Sequence, residues 1–204
     1  QWKHIKCIAR PSYAAIHTVW TQFDEDYFLR HSGDEIAWHT EAIANCTEPC
    51  PPLVLLRHEA IWGATAIFLL AQDRDYLFAT VTRAMDELTL NVVDARIITT
   101  EQGLVLDTFF VLDINGQPLT DTYQINEVRT KLRQALQNPS KQAVLNNRPI
   151  PRRLRHFSIP TEIAFSTDLR HHFTVIDLTA SDRPGFLSRV GQALAECEVR
   201  LHSA

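Results

Sequence analysis

The pattern of apolar positions changes period twice along the chain, in the same way each time. Thr65–Ala71 (TAIFLLA) and Phe173–Ala180 (FTVIDLTA) are short and rich in β-branched residues, and the second alternates as a half-buried strand does. A polar turn follows each, and then the spacing becomes helical. Leu77, Val81, Ala84, Met85 and Leu88 fall on one stripe, and Phe186, Val190, Ala193, Leu194 and Cys197 on another. The two stretches align without a gap at an offset of 109 residues, which sets Thr65 on Thr174, Asp73-Arg74 on Asp182-Arg183, and Ala95 on Ala204. About a third of some thirty aligned positions are identical, and most other pairs exchange apolar for apolar. The chain therefore carries a duplicated strand–loop–helix unit.

The first copy continues. Asn91–Glu101 reads as a strand, Gln102-Gly103 as a tight turn and Leu104–Ile114 as a second strand, ended by Asn115-Gly116. Tyr123–Gln137 reads as a helix with Ile125, Val128, Leu132, Ala135 and Leu136 on one side, stopped by Asn138-Pro139. Thr161–Ser166, reached through a loop with Pro149, Pro151 and Pro160, would supply the last strand. The expected fold class is α+β: a ferredoxin-like βαββαβ domain over residues 64–167, an antiparallel four-stranded sheet with two helices on one face. The second copy, 171–204, is expected to be incomplete, because it ends at the position matching Ala95. Residues 1–52 read as a helical segment and a Pro-rich hinge, with helices over Pro11–Phe23 and Ser32–Ala44 and a capping box from Ser32 to Glu35. Trp20, Tyr27, Phe28, Leu29, Ile36 and Trp38 are too much apolar surface for two helices alone, so this segment should pack on something.

Composition narrows the function classes. With 20 Lys and Arg against 24 Asp and Glu, the net charge of -4 gives no general attraction to nucleic acid. No stretch is long and apolar enough to span a bilayer, no leader-like segment opens the chain, and Cys7, Cys46, Cys50 and Cys197 are sparse and irregularly spaced. The expectation is a cytoplasmic protein that engages no membrane. Nine histidines form no HExxH, Cys46 and Cys50 lack a second ligand pair, and no GxGxxG, GxxxxGK[ST] or GxSxG is present. No catalytic residue, metal site or cofactor is expected within the chain. The basic stretch Arg148–His156 reads as a solvated connection rather than a nucleic-acid surface, and Phe109-Phe110 lacks the basic-glycine entry of an RNA-binding strand.

The loop Ser181–Leu187 carries the candidate binding chemistry. Pro184 sets φ for a helix start and Gly185 allows close backbone approach. The amides and dipole of a helix start suit a carboxylate, while Asp182 could accept from an ammonium. A free amino acid carries both charges; the alternative reading is a structural N-terminal turn.

Strand, Asp-Arg-Pro-Gly-Phe-Leu, then a striped helix resembles the opening of an ACT domain, the βαββαβ module that senses amino acids. Two in tandem, behind Asp26-Tyr27-Phe28-Leu29-Arg30-His31 and Glu35-Ile36-Ala37-Trp38-His39-Thr40, resemble the C-terminal region of the bifunctional protein-PII uridylyltransferase and uridylyl-removing enzymes. The resemblance implies a non-catalytic regulatory fragment that reads glutamine or another small amino acid. It implies a parent enzyme that needs magnesium and acts on PII through domains outside this chain. It places the site on Asp182, Arg183, Pro184, Gly185, Phe186 and Leu187, and more weakly on Asp73 and Arg74, where Asp75 and Tyr76 replace Pro184 and Gly185. The alternative is a structural module that joins chains by pairing and binds no ligand.

Overall fold

The structure, a computed structural model, describes residues 11–23, 25–46, 52–61, 63–100, 102–138, 159–169 and 172–203, without the side chain of Asp26. The basic stretch at 148–156, Cys7, Cys50 and His171 lie outside these residues. In chain order the elements are α1 (Tyr13–Trp20), α2 (Glu25–Arg30), α3 (Gly33–Ala44), β1 (Leu53–Glu59), β2 (Ala64–Gln72) and α4 (Leu77–Glu87). They continue with β3 (Asn91–Arg96), β4 (Leu104–Leu112), α5 (Thr122–Gln137), β5 (Glu162–Asp168), β6 (Phe173–Thr179) and α6 (Phe186–Glu196).

Strand alternation decides what each face covers. Ile67, Leu69 and Ala71 of β2 join Val105, Phe109 and Val111 of β4 in a core closed by Leu77, Val81 and Met85 of α4 and by Val128, Leu132 and Leu136 of α5. The intervening residues, Phe68 and Leu70 with Leu106, point to the other face, where Tyr27 and the side chains of Phe23, Phe28, Ile36, Trp38 and Ile43 cover them. Covered on both faces, β2 reads as an unbroken apolar run rather than an alternating one. Most of the apolar excess of the N-terminal segment thus covers the sheet itself, although Leu29 and Trp20 stay 75% and 44% exposed.

The expected four-stranded antiparallel sheet with two helices on one face is present, with one strand differently sourced. The order is β1-β2-β4-β3, and β1 pairs antiparallel with β2 from Leu53–Leu70 to Glu59–Ala64. The segment expected to fill that edge, Thr161–Ser166, instead forms β5 and pairs with β6. The first sheet is therefore ββαββα in chain order. A few residues separate β1 from β2, whereas β5 follows α5 only after residues 138–161, a stretch of sequence six times longer whose closure costs about 1.5 kcal/mol more. Two smaller differences follow: the strand expected over Asn91–Glu101 ends at Arg96 after a bulge between Val92 and Asp94, and a third short helix, α2, lies between the two foreseen at the N-terminus.

The duplication is wider than the aligned core. Displaced by 109 residues, β1 falls on β5, β2 on β6 and α4 on α6. The backbone repeats it too: left-handed φ recurs at Gly63 (57°) and His172 (58°), Tyr76 (64°) and Gly185 (72°), and Thr89 (61°) and Glu198 (56°). On the β5–β6 hairpin, Ile163, Phe165, Phe173, Val175 and Ile176 are exposed, unlike their counterparts in the first sheet.

The N-terminal helices are fixed to the sheet by polar groups as well as by packing. Ser32 caps α3, its Oγ accepting from the Glu35 amide at 3.3 Å while Glu35 accepts from the Ser32 amide at 2.8 Å. The same carboxylate takes both ends of a bond pair from Arg96 Nη1, at 2.8 and 2.9 Å. His39 stacks on Phe68 with centroids 4.1 Å apart, its Nδ1 3.0 Å from the Tyr27 hydroxyl and its Nε2 3.5 Å from Thr108 Oγ1. Burial, then the neighbouring His31 charge, pushes the His39 imidazole down to about 3, so it is neutral at physiological pH. Cys197 is an exposed free thiol.

Candidate ligand sites between the two repeats

Helices α4 and α6 pack side by side, and a near two-fold relation runs through their contact. Ser188 Oγ donates to the carbonyl of Ala79, its own counterpart 109 residues earlier, at 3.2 Å. Gly191 makes the approach possible, because a Cβ there would lie 2.6 Å from Phe78 Cδ1, 3.0 Å from the Ala79 nitrogen and 3.1 Å from its Cα. Next to this crossing, Thr99 receives the chain end of the second repeat: its amide donates to the His202 carbonyl at 2.9 Å and its hydroxyl to that of Leu201 at 3.1 Å.

This pairing sets the strand–helix loop of each repeat over the helix C-terminus of the other. One cavity, of about 740 Å³, lies between Asp73–Phe78 and the end of α6 with Glu198–Leu201. The other, of about 820 Å³, lies between Asp182–Ser188 and the end of α4 with Thr89–Val92. All six residues expected from the second loop line the second cavity, and Asp73 and Arg74 line the first. The sequence had singled out both loops as candidates. It did not find that each faces the other repeat.

The loops differ in how they hold the left-handed residue before the helix. At Gly185 the conformation is unstrained, and the amide donates to Asp86 Oδ1 of α4 at 3.1 Å. Its counterpart Tyr76 takes the same conformation at a steric cost. Arg74 is turned away toward α5, donating to the Gln137 carbonyl at 3.4 Å. Helix α4 starts there without any side-chain cap.

Asp107 was not singled out as a site residue. It sits opposite Leu69 in the β2–β4 pairing, only 3% exposed, on the apolar face with Val105 and Phe109, and lines the first cavity. Burial raises its carboxyl well above the ordinary range, Asp73 adds to the rise, and a hydrogen bond from the Ile98 amide offsets part of it. Its Oδ1 has no hydrogen-bond partner among the described residues. An acid in the run Leu104–Leu112, on the alternation phase of the core, is a signal the sequence did contain.

Among the described residues, no three His, Cys, Asp or Glu side chains could hold a metal together, and no helix is long and apolar enough to cross a membrane.

The family model described as the fifth domain of the uridylyltransferase GlnD matches residues 11–42, the helices that cover the sheet. Curated relatives match almost all of the chain. A bifunctional uridylyltransferase/uridylyl-removing enzyme of Methylococcus capsulatus is 41% identical over 190 residues, 93% of this chain and 22% of the relative. Enzymes of the same description from Ectopseudomonas mendocina and Pseudomonas fluorescens are 39% and 37% identical, over 91% and 93% of this chain and 21% of each relative. No solved structure matches the chain. The chain spans about a fifth of the length of these relatives and is similar to them over more than nine-tenths of its own.

Proposed function

We propose that this chain is the regulatory segment of a bifunctional uridylyltransferase/uridylyl-removing enzyme, a non-catalytic pair of ACT-type repeats that reads cytoplasmic glutamine. The parent would add UMP to the PII protein with magnesium, and remove it, through domains outside this segment. The observation that carries the reading is the reciprocal placement of the two loops, each closing a cavity against the helix end of the other repeat. A ligand held there touches both repeats at once, so it binds one arrangement of the pair better than any other. Only such a difference can shift the balance between two catalytic outputs.

The second reading is a structural pairing module without a ligand. The Asp86 carboxylate favours it, since it already holds the Gly185 amide that a ligand carboxylate would use. Replacing Gly185 by Trp in the intact enzyme separates the two. Sensing predicts that both activities persist without glutamine and that glutamine shifts their balance less than in the unaltered enzyme, the first cavity being untouched. Pairing alone predicts a glutamine response like that of the unaltered enzyme.

A further inference from the structure

We propose that the cavity beside the first turn of α4 is a site for a small molecule with a primary ammonium group, and that Asp107 Oδ1 is the oxygen that receives it. The proposal rests on the ligand-reading function above and adds to it the recognised group and the receiving atom.

Three observations support it. Asp107 is 3% exposed and lines the cavity, and its Oδ1 is unpartnered among the described residues although its carboxyl accepts from the Ile98 amide. A buried acceptor without a donor is costly, and its place among Leu69, Val105 and Phe109 offers no packing reason for a carboxyl group. Around the cavity the acids Asp73, Asp75, Glu196 and Glu198 outnumber the cations Arg74 and Arg200, and Arg74 is turned to the Gln137 carbonyl. An ammonium has three donors and no acceptor, which suits one orphaned oxygen behind an acidic mouth.

Asp107 is held toward its neutral form by burial and by Asp73. Taking up an ammonium favours the carboxylate, so the carboxyl proton leaves to solvent as the ion pair forms. A group present only for packing would release none.

The test is calorimetric titration of the full-length protein with glutamine, in two buffers of different ionisation heat, for the unaltered protein and for Asp107→Asn and Asp107→Leu. Glutaramic acid, which is glutamine without its ammonium, is the paired probe. The expected result is glutamine binding with proton release, weakened about 10- to 100-fold in both variants, no proton release in either, and no displacement of glutamine from this site by glutaramic acid. Glutamine affinity and proton release unchanged in Asp107→Asn would overturn the role of Asp107 and leave glutamine sensing standing. If glutamine gives no heat, sensing fails, and ethylammonium, lysine and glutamate are titrated instead. Binding of any of these that is lost in Asp107→Asn upholds the ammonium site, and no binding by any refutes it. Circular dichroism checks that the variants fold; should they not, displacement of glutamine by glutaramic acid with equal affinity in the unaltered protein overturns the proposal.

Discussion

Replacing Gly191 by Ala sets two effects of opposite sign against each other. Gly191 lies inside α6, where Ala is the better helix former by about 1 kcal/mol. If α6 stood alone, the substitution would stabilise it by that amount. Against α4, the new methyl would meet Phe78 Cδ1 at 2.6 Å and the Ala79 nitrogen and Cα at 3.0 and 3.1 Å. The Phe78 ring end can swing aside, but the Ala79 backbone cannot move without α4. Relaxing those contacts to the usual carbon separation requires the helices to part by about 0.5 Å, which forfeits a quarter or more of the attraction of each contact at the crossing. It also stretches the Ser188–Ala79 hydrogen bond. Overpacking of this kind costs about 1–3 kcal/mol, so the net expectation is a loss of about 1 kcal/mol. Guanidinium unfolding of the chain, followed by far-ultraviolet circular dichroism, reads the sign directly. A gain near 1 kcal/mol would mean that α6 does not rest on α4, and the reasoning about both cavities would fall with it.

Further outcomes follow from the same contacts. His39, neutral in the fold with its imidazole lowered to about 3, binds a proton more readily when unfolded, so its contribution is intact above the unfolded value of 6.5 and is lost as the pH falls below it. Between pH 7.5 and 5 the stability should drop by about 2 kcal/mol, with His31, lowered chiefly by burial, adding to the slope; equal denaturant midpoints at the two pH values would contradict this. Thr89, a β-branched residue at φ 61°, occupies the left-handed position after α4, where its amide donates to the Asp86 carbonyl and that of Leu90 to the Met85 carbonyl. Thr89→Gly should therefore raise stability by about 1 kcal/mol, visible as a higher melting temperature, and a lower one would refute the strain argument. Glu35→Ala removes the capping box and leaves Arg96 without its carboxylate partner of 2.8 Å, which should cost about 2–3 kcal/mol; a change under 0.5 kcal/mol in a denaturant titration would show that this tie does not hold α3 to β3.

Much of this architecture was legible because its signals are local or periodic. The change from strand to helical spacing marked β2 and α4 as it marked β6 and α6, and Ser32 with Glu35 announced the start of α3. The source of the edge strand was not legible. Leu53–Glu59 and Glu162–Asp168 share little beyond apolar residues at their second to fourth positions and an acidic end, and no local rule says whether a strand pairs backward or forward along the chain. The candidate loops were legible from Asp-Arg and the Pro-Gly pair. Their opposing walls were not, because Asp86, Thr89 and Glu198 reach them only through the crossing of α4 and α6. Asp107 lay between, since alternation placed it on the core face of β4 and only the fold showed that a cavity opens there.

Hydrogen–deuterium exchange of the full-length protein with and without glutamine tests most directly whether the paired repeats read a ligand at their junction. The arrangement described here requires slowed exchange in a loop, 73–79 or 182–188, together with the opposing helix end of the other repeat, 194–199 or 85–90 respectively. Protection confined to residues outside this chain, or none at saturating glutamine, would contradict it.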